Sequence, residues 1–143
     1  MMPLRIVIDT NVFVSALRSN RGASFRLISL LGSDDRFEIN VSVPLILEYE
    51  DAALRAARQS GLTGKDISDV VDYICSVANR RQIHFLWRPL LRDPNDDMVL
   101  EVAVEASCKY IITFNARDFG PAKRFGIGIL SPAEFLRSIG EIS

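Results

Sequence analysis

Four acids in this chain stand at element ends or on helix faces that can converge. Asp9 closes the run Leu4-Arg5-Ile6-Val7-Ile8, and Glu48 falls in the first turns of a helix beginning near Val43. Asp97 starts a helix after the turn Asp93-Pro94-Asn95-Asp96, and Asp118 lies in Thr113-Phe114-Asn115-Ala116-Arg117-Asp118-Phe119. Carboxylates packed a few ångströms apart repel, and one of them is pushed toward its protonated form unless a cation intervenes. Oxygen-only ligands select hard cations such as Mg²⁺ or Mn²⁺ over zinc. The single histidine, His84, sits within a strand pattern and reads as a core or edge residue. That removes histidine-based zinc sites and a Ser-His-Asp triad. No GxxxxGK[ST] loop or GxGxxG fingerprint is present either. An acid-rich site without histidine fits metal-assisted hydrolysis of a phosphodiester.

Each acid also has a plainer use. Asp9 can cap a helix, Glu48 can be a solvated helix residue with Glu50 as a competitor, and Asp118 can close a turn. Asp97 can be a cap or a first-turn acid favoured by the helix dipole, and Asp96 claims either role equally well. Glu101 and Glu105 read as a solvated stripe at i+4 spacing. Four acids at successive junctions together favour a site.

The elements that must position them alternate. Leu4–Ile8 reads as a strand buried on both faces, with Thr10 and Asn11 available to cap the next helix. Helices are expected over 11–18 and 23–31, broken by Asn20-Arg21-Gly22, then a strand over 37–41. Ser42 and Pro44 open a helix reaching about Arg58, and Thr63 opens another reaching about residue 79. Ile83-His84-Phe85-Leu86-Trp87 reads as a third strand, a helix is expected from Asp97 to Ser107, and strands come after it at 110–113 and 127–130. Ser131, Pro132 and Glu134 form a capping box for the last helix. Strands separated by helices imply a parallel sheet covered on both faces: one α/β domain over residues 1–143, a three-layer α/β/α sandwich with about five strands. In such sheets, sites form beyond the carboxyl ends of the strands, where Asp9 falls.

At 143 residues the chain can bury a proper core unaided. No stretch approaches the roughly 18–20 apolar residues of a membrane span, and no signal peptide is read at the N-terminus. Cys75 and Cys108 sit in helical patterns and form no CxxC pair, which fits a reducing cytoplasm. The formal charge is −1, but setting aside Asp9, Glu48, Asp96, Asp97 and Asp118 leaves 17 basic against 13 acidic residues. Fourteen of the basic residues are arginine, whose fork binds phosphate oxygens bidentately, so an anionic substrate is admissible.

The ordered set Ile6-Val7-Ile8-Asp9-Thr10-Asn11-Val12, Pro44-Leu45-Ile46-Leu47-Glu48, Asp93-Pro94-Asn95-Asp96-Asp97 and Tyr110-Ile111-Ile112-Thr113-Phe114-Asn115-Ala116-Arg117-Asp118-Phe119 resembles the PIN-domain family of small Mg²⁺/Mn²⁺-dependent ribonucleases, and it covers nearly the whole chain. The resemblance implies that Asp9, Glu48, Asp97 and Asp118 form the acidic metal site, with Thr113 and Asn115 in support. Asp97 is preferred over Asp96 because its distance to Thr113 matches the family spacing. Asn115 stands where many members carry Asp, which makes it a hydrogen-bonding or water-holding group. Asn11 would orient Asp9 or a water. The variant Arg92-Asp93-Pro94-Asn95-Asp96-Asp97 resembles the toxin components of toxin–antitoxin pairs. The expectation is a Mg²⁺ or Mn²⁺ endoribonuclease acting on single-stranded or loop RNA, with an antitoxin partner and a homodimeric or higher assembly, and with Arg18, Arg21 and Arg117 as candidate phosphate contacts. Two other classes compete. A phosphatase with Asp9 as nucleophile wants a second acid where Asn11 stands, and an idle RNA- or protein-binding module needs no metal.

Overall fold

The structure is a computed structural model, and it describes residues 2–86 and 88–143. The β-branched run at the start forms β1 (Leu4–Ile8), and Asp9 caps the adjoining helix, its side chain accepting from the Thr10 N–H. Helices α1 (Thr10–Arg18) and α2 (Ala23–Leu30) lead to β2 (Phe37–Val41). Helix α3 (Val43–Arg55) starts at Ser42, whose hydroxyl accepts from the Leu45 N–H, and buries Leu45, Tyr49, Ala52 and Ala53 along one stripe. A short helix, α4 (Ala57–Ser60), and α5 (Gly64–Val77) come next. A capping box between Thr63 and Asp66 opens α5. The two-residue β3 (Asn79–Arg80) precedes α6 (Pro94–Glu105), β4 (Tyr110–Ile112), a kinked 3₁₀ segment (Ala116–Phe125), β5 (Gly128–Leu130) and α7 (Pro132–Ser138). The Ser131–Glu134 capping box forms as the residues require.

The five strands pair in parallel in the order β3-β2-β1-β4-β5, which makes β1 the middle strand. Its neighbours are in register at Leu4 with Phe37 and at Ile8 with Ile112. Ile6, Val7 and Ile8 are fully buried, so both faces of this strand are covered and the three-layer sandwich is realised. The core is one continuous cluster drawn from β1, β2 and β4 and from most of the helices, with Ile129 and Leu130 of β5 packed against it. Among the described residues no helix is long and apolar enough to cross a membrane.

Several expectations are corrected. The third strand is not the apolar run at 83–87: residues 83–86 form none, Phe85 and Leu86 are each 68% exposed, and Trp87 lies outside the described residues. The sheet edge is taken instead by Asn79 and Arg80, which pair with Asn40 and Val41 directly after α5 ends. His84 is accordingly neither core nor edge: it is exposed, with Nε2 3.7 Å from Glu105. Cys108 lies beyond the end of α6 rather than in it. Glu101 is no part of a solvated stripe: it is 2% exposed and grips the Arg88 guanidinium in a bidentate pair, at 2.8–3.2 Å. The last difference bears on function. Helix α6 begins at Pro94, capped by the Asp93 side chain, three residues before the expected start.

Candidate active site

Asp9 leaves the end of the middle strand and is held on every side. Its backbone N–H donates to Ile112 O at 2.8 Å, as the β1–β4 ladder requires. Its Oδ1 accepts from the Thr10 N–H at 2.8 Å and its Oδ2 from the Thr113 hydroxyl at 2.7 Å. Thr113 Oγ1 in turn accepts from the Asn115 N–H at 2.9 Å, so the turn after β4 fixes the hydroxyl that fixes the acid. One residue upstream, the buried Tyr49 hydroxyl donates to Ile8 O, and its ring stacks on Phe13 with centroids 5.0 Å apart. Packing from α1 and α3 thus locks the strand end. Asp9 is 6% exposed, and burial pushes its pKa up. The hydrogen bonds from Thr113 and Thr10 hold that rise in check, while the charges of Asp118 and Asp93 add to it.

Asp9 opens into a cleft of about 420 Å³ whose lining includes Asn11, Glu48, Asp93, Asp96 and Asn115. Asp96 comes from the first turn of α6 and is the most perturbed acid there. Burial, then the charges of Asp9, Asp93, Asp118 and Asp97, raise its pKa to about 7. Glu48 reaches the same cleft from α3, with Arg55 Nη2 3.4 Å from its Oε1. Asp118 is exposed at the start of the 3₁₀ segment and lines an adjoining hollow with Leu90, Leu91, Arg92, Arg117 and Pro121. Its field nonetheless reaches both Asp9 and Asp96.

Asp97, the acid preferred from the sequence, does not line the cleft. It is 1% exposed, and its Oδ1 accepts from the backbone N–H groups of Leu91 at 2.9 Å and Leu90 at 3.4 Å. The early start of α6 explains this. Consecutive helix residues point about 100° apart, so when Asp96 faces the cleft Asp97 is turned toward the chain segment beside it. Together Asp97 and Glu101, one turn further on, hold residues 88–91 against α6.

Some residues of the cleft were not singled out from the sequence. Asp93 both caps α6, accepting from the Asn95 N–H at 2.9 Å, and lines the cleft. The signal was there, since an Asp before a Pro is a helix start. Arg55 and Gln59 reach the wall from the ends of α3 and α4, and nothing in their local pattern announces it.

Apart from Arg18 and Arg55, the polar side chains of the cleft offer oxygen ligands: carboxylates, the amides of Asn11, Gln59, Asn95 and Asn115, and the Thr10 hydroxyl. Asn11 Oδ1 and Thr10 Oγ1 are buried atoms without a hydrogen-bond partner. Buried acceptors left unpaired beside repelling carboxylates suit a hard cation with its water. Among the described residues, no three acidic, cysteine or histidine side chains already converge as a finished metal cage. The chemistry of the donors fits a divalent ion; the side chains are not gathered on one.

The sequence matches the PIN-domain family over residues 5–117. This chain belongs to the PIN-domain family. PIN domains are generally nucleases and typically use divalent metals. No curated protein matches the chain. Solved structures share the PIN fold at low identity. One is VapBC2 from Rickettsia felis, bound to a DNA fragment from their promoter, with 14% identity and a TM-score of 0.60 over 90% of this chain and 98% of that one. Another is a PilT N-terminus domain protein from the archaeon Sulfolobus solfataricus P2, with 18% identity and a TM-score of 0.53 over 98% of this chain and 97% of that one.

Proposed function

We propose that this PIN domain is a metal-dependent endoribonuclease and the toxin of a toxin–antitoxin pair. The observation that supports the reading most is the pairing of Asp9 and Asp96 in one cleft, with Asp96 held half-protonated near neutrality by its burial and its acidic neighbours. Asp9 and Asp96 would hold Mg²⁺ or Mn²⁺, with Glu48, Asp93 and Asp118 as flanking acids. The sequence-preferred Asp97 keeps the neighbouring chain in place. The ion, when bound, supplies positive charge for the phosphate and a more acidic water. The protein's own groups do the rest. Thr113 and the Thr10 N–H aim the Asp9 carboxylate, and the Asn11 and Asn115 amides can hold and orient water. Water adds to phosphorus as the bond to the 3′ oxygen breaks, leaving 5′-phosphate and 3′-hydroxyl ends.

Asp9→Asn keeps the shape of the strand end and removes the charge. It is expected to abolish Mg²⁺-dependent cleavage of RNA while leaving the melting transition cooperative. Undiminished cleavage by clean preparations of this variant would sink the proposal. Calorimetry with Mn²⁺ separates the nuclease from an idle module, since a module of that kind shows no heat dependent on Asp9 and Asp96. The likeness to a VapBC complex supports an antitoxin partner; assembly into a homodimer or higher homo-oligomer is part of the same proposal. A short reading frame beside this one whose product co-purifies with the chain and suppresses cleavage would bear that out.

A further inference from the structure

Among the described residues, Glu48 is the one acid of the cleft with an arginine partner. Glu48, Asp51 and Arg55 share a face of α3, because residues three, four and seven apart on a helix are neighbours. Arg55, the last residue of α3, uses both arms: Nη1 donates to Asp51, outside the cleft, and Nη2 donates to Glu48 Oε1 at 3.4 Å. That hold on Glu48 is a single contact at the long end of the range, from a guanidinium side chain 60% exposed. The Arg88–Glu101 pair shows the alternative, with three contacts of 2.8–3.2 Å on a buried acid. A fastening is built like the second pair. The first can be let go at small cost.

We propose that Arg55 is a counter-cation built into the cleft: it holds Glu48 in the metal-free protein and gives it up, keeping Asp51, when a divalent ion binds. This rests on the metal-dependent reading above and deepens it. Asp9 and Asp96 are the standing part of the site, and Glu48 is a conditional part. Two cations that draw on one carboxylate weaken each other, and the coupling is reciprocal. Arg55 therefore raises the ion concentration at which the cleft fills. It also relieves part of the repulsion among the acids until then. Arg18 lines the same wall, but its Nη2 donates to the neutral Gln59 Oε1, so it brings charge without holding an acid.

The test is a double-mutant cycle on the full chain, read by calorimetry with Mn²⁺ and needing no RNA. Arg55→Gln frees Glu48 and should tighten Mn²⁺ binding about threefold to fivefold, the size set by a partly exposed pair. Arg18→Gln removes an equal charge from the same wall without freeing a carboxylate, and screening should keep its effect below about twofold. In Glu48→Gln protein, which should still bind Mn²⁺ through Asp9 and Asp96, Arg55→Gln should shrink to that same background. If Arg18→Gln tightens binding as much as Arg55→Gln, or Arg55→Gln acts equally with and without Glu48, charge alone is at work and the counter-cation is wrong. Loss of all Mn²⁺ binding in Glu48→Gln would make Glu48 a standing ligand and overturn the division of the site. If Arg55→Gln leaves affinity unchanged or weakens it while the wild-type protein binds through Asp9 and Asp96, the inference falls and the metal reading stands. If the wild-type protein binds no Mn²⁺, both fall.

Discussion

Two groups of acids lie in different parts of this molecule and are treated in opposite ways. Near the C-terminus, Asp34 and Glu141 are gripped by arginine: Arg36 Nη2 lies 2.5 Å from Asp34 and 2.6 Å from Glu141, and Arg26 Nε donates to Glu141 at 2.8 Å. Arg36 holds Asp34 below its usual range, and Arg36 and then Arg26 do the same for Glu141. In the cleft, Asp9 and Asp96 have no arginine partner among the described residues, and burial, with repulsion from neighbouring acids, pushes both upward. One cluster satisfies its charges within the chain and fastens the C-terminal segment to the α2–β2 connection. The other leaves its charges without a cationic partner among the described residues. An acid's partners, rather than its presence, separate a fastening from a site.

The sharpest way to break that comparison is to neutralise one acid of each kind. Asp9→Asn should lower metal-dependent RNA cleavage by more than about a hundredfold, beyond what losing an outer hydrogen-bond partner costs. Asp34→Asn should leave the rate unchanged in the same assay. Equal losses would mean that the cleft has no special claim.

The adjacent acids of α6 sharpen it further. Asp96→Asn should remove Mn²⁺ binding measured by calorimetry, whereas Asp97→Asn should keep it within a few-fold. Asp97→Ala should instead lower stability by about 1–3 kcal/mol in urea unfolding, because the buried Leu91 N–H loses its acceptor. If the Asp97 variants lose Mn²⁺ with stability intact, the family spacing, and not the cleft, names the ligand.

A smaller effect is expected from pH. Asp96 holds its proton in the folded state to about pH 7 but in the unfolded chain only to about 4, so the folded state binds more protons between those values. Stability of the metal-free protein should therefore fall as pH rises from about 4 to 7, by about 2 kcal/mol once screening at the cleft mouth is allowed for. Asp96→Asn should flatten this limb, and Mn²⁺ should raise the melting temperature more at pH 8 than at pH 5. A limb that persists in the variant would assign it elsewhere. Asp34 and Glu141 act with the opposite sign. Their depressed values give stability that is present above about pH 4.5 and lost as the medium becomes more acid.

The smallest effect is expected at the C-terminal cluster itself. Glu141→Gln should leave the melting midpoint at neutral pH close to wild type, since exposed ion pairs add little. It should show instead as faster proteolysis of the last residues. A large drop in midpoint would mean that the cluster carries more of the fold than its exposure suggests.

The sequence was legible where a residue's neighbours along the chain decide its state. The β-branched run into Asp9, the Ser42–Pro44 start and the capping boxes at Thr63 and Ser131 all behave as their local chemistry demands. It was misleading where distant partners decide. Ile83 to Leu86 carry strand-forming residues, but the edge of β2 is already used by Asn79 and Arg80, which pair through backbone alone. Glu101 looks solvated by periodicity because its partner, Arg88, lies on a segment that no helix pattern includes. The site was half visible. Asp9, Glu48 and Asn115 line one cleft with Thr113 bonded to Asp9, while Asp96 lines it and Asp97 turns to the neighbouring chain, on a helix that starts three residues early.

The strand order carries a consequence for how the chain comes into being. β1 is laid down first, yet it ends in the middle, with β2 and β3 on one flank and β4 and β5 on the other. A nascent chain that has emerged only as far as Arg80 holds Asp9 and Glu48, but not the Thr113 hydroxyl that aims Asp9, nor Asp96, nor the strand that receives the Asp9 N–H. The cleft cannot be complete until the chain has emerged past Thr113.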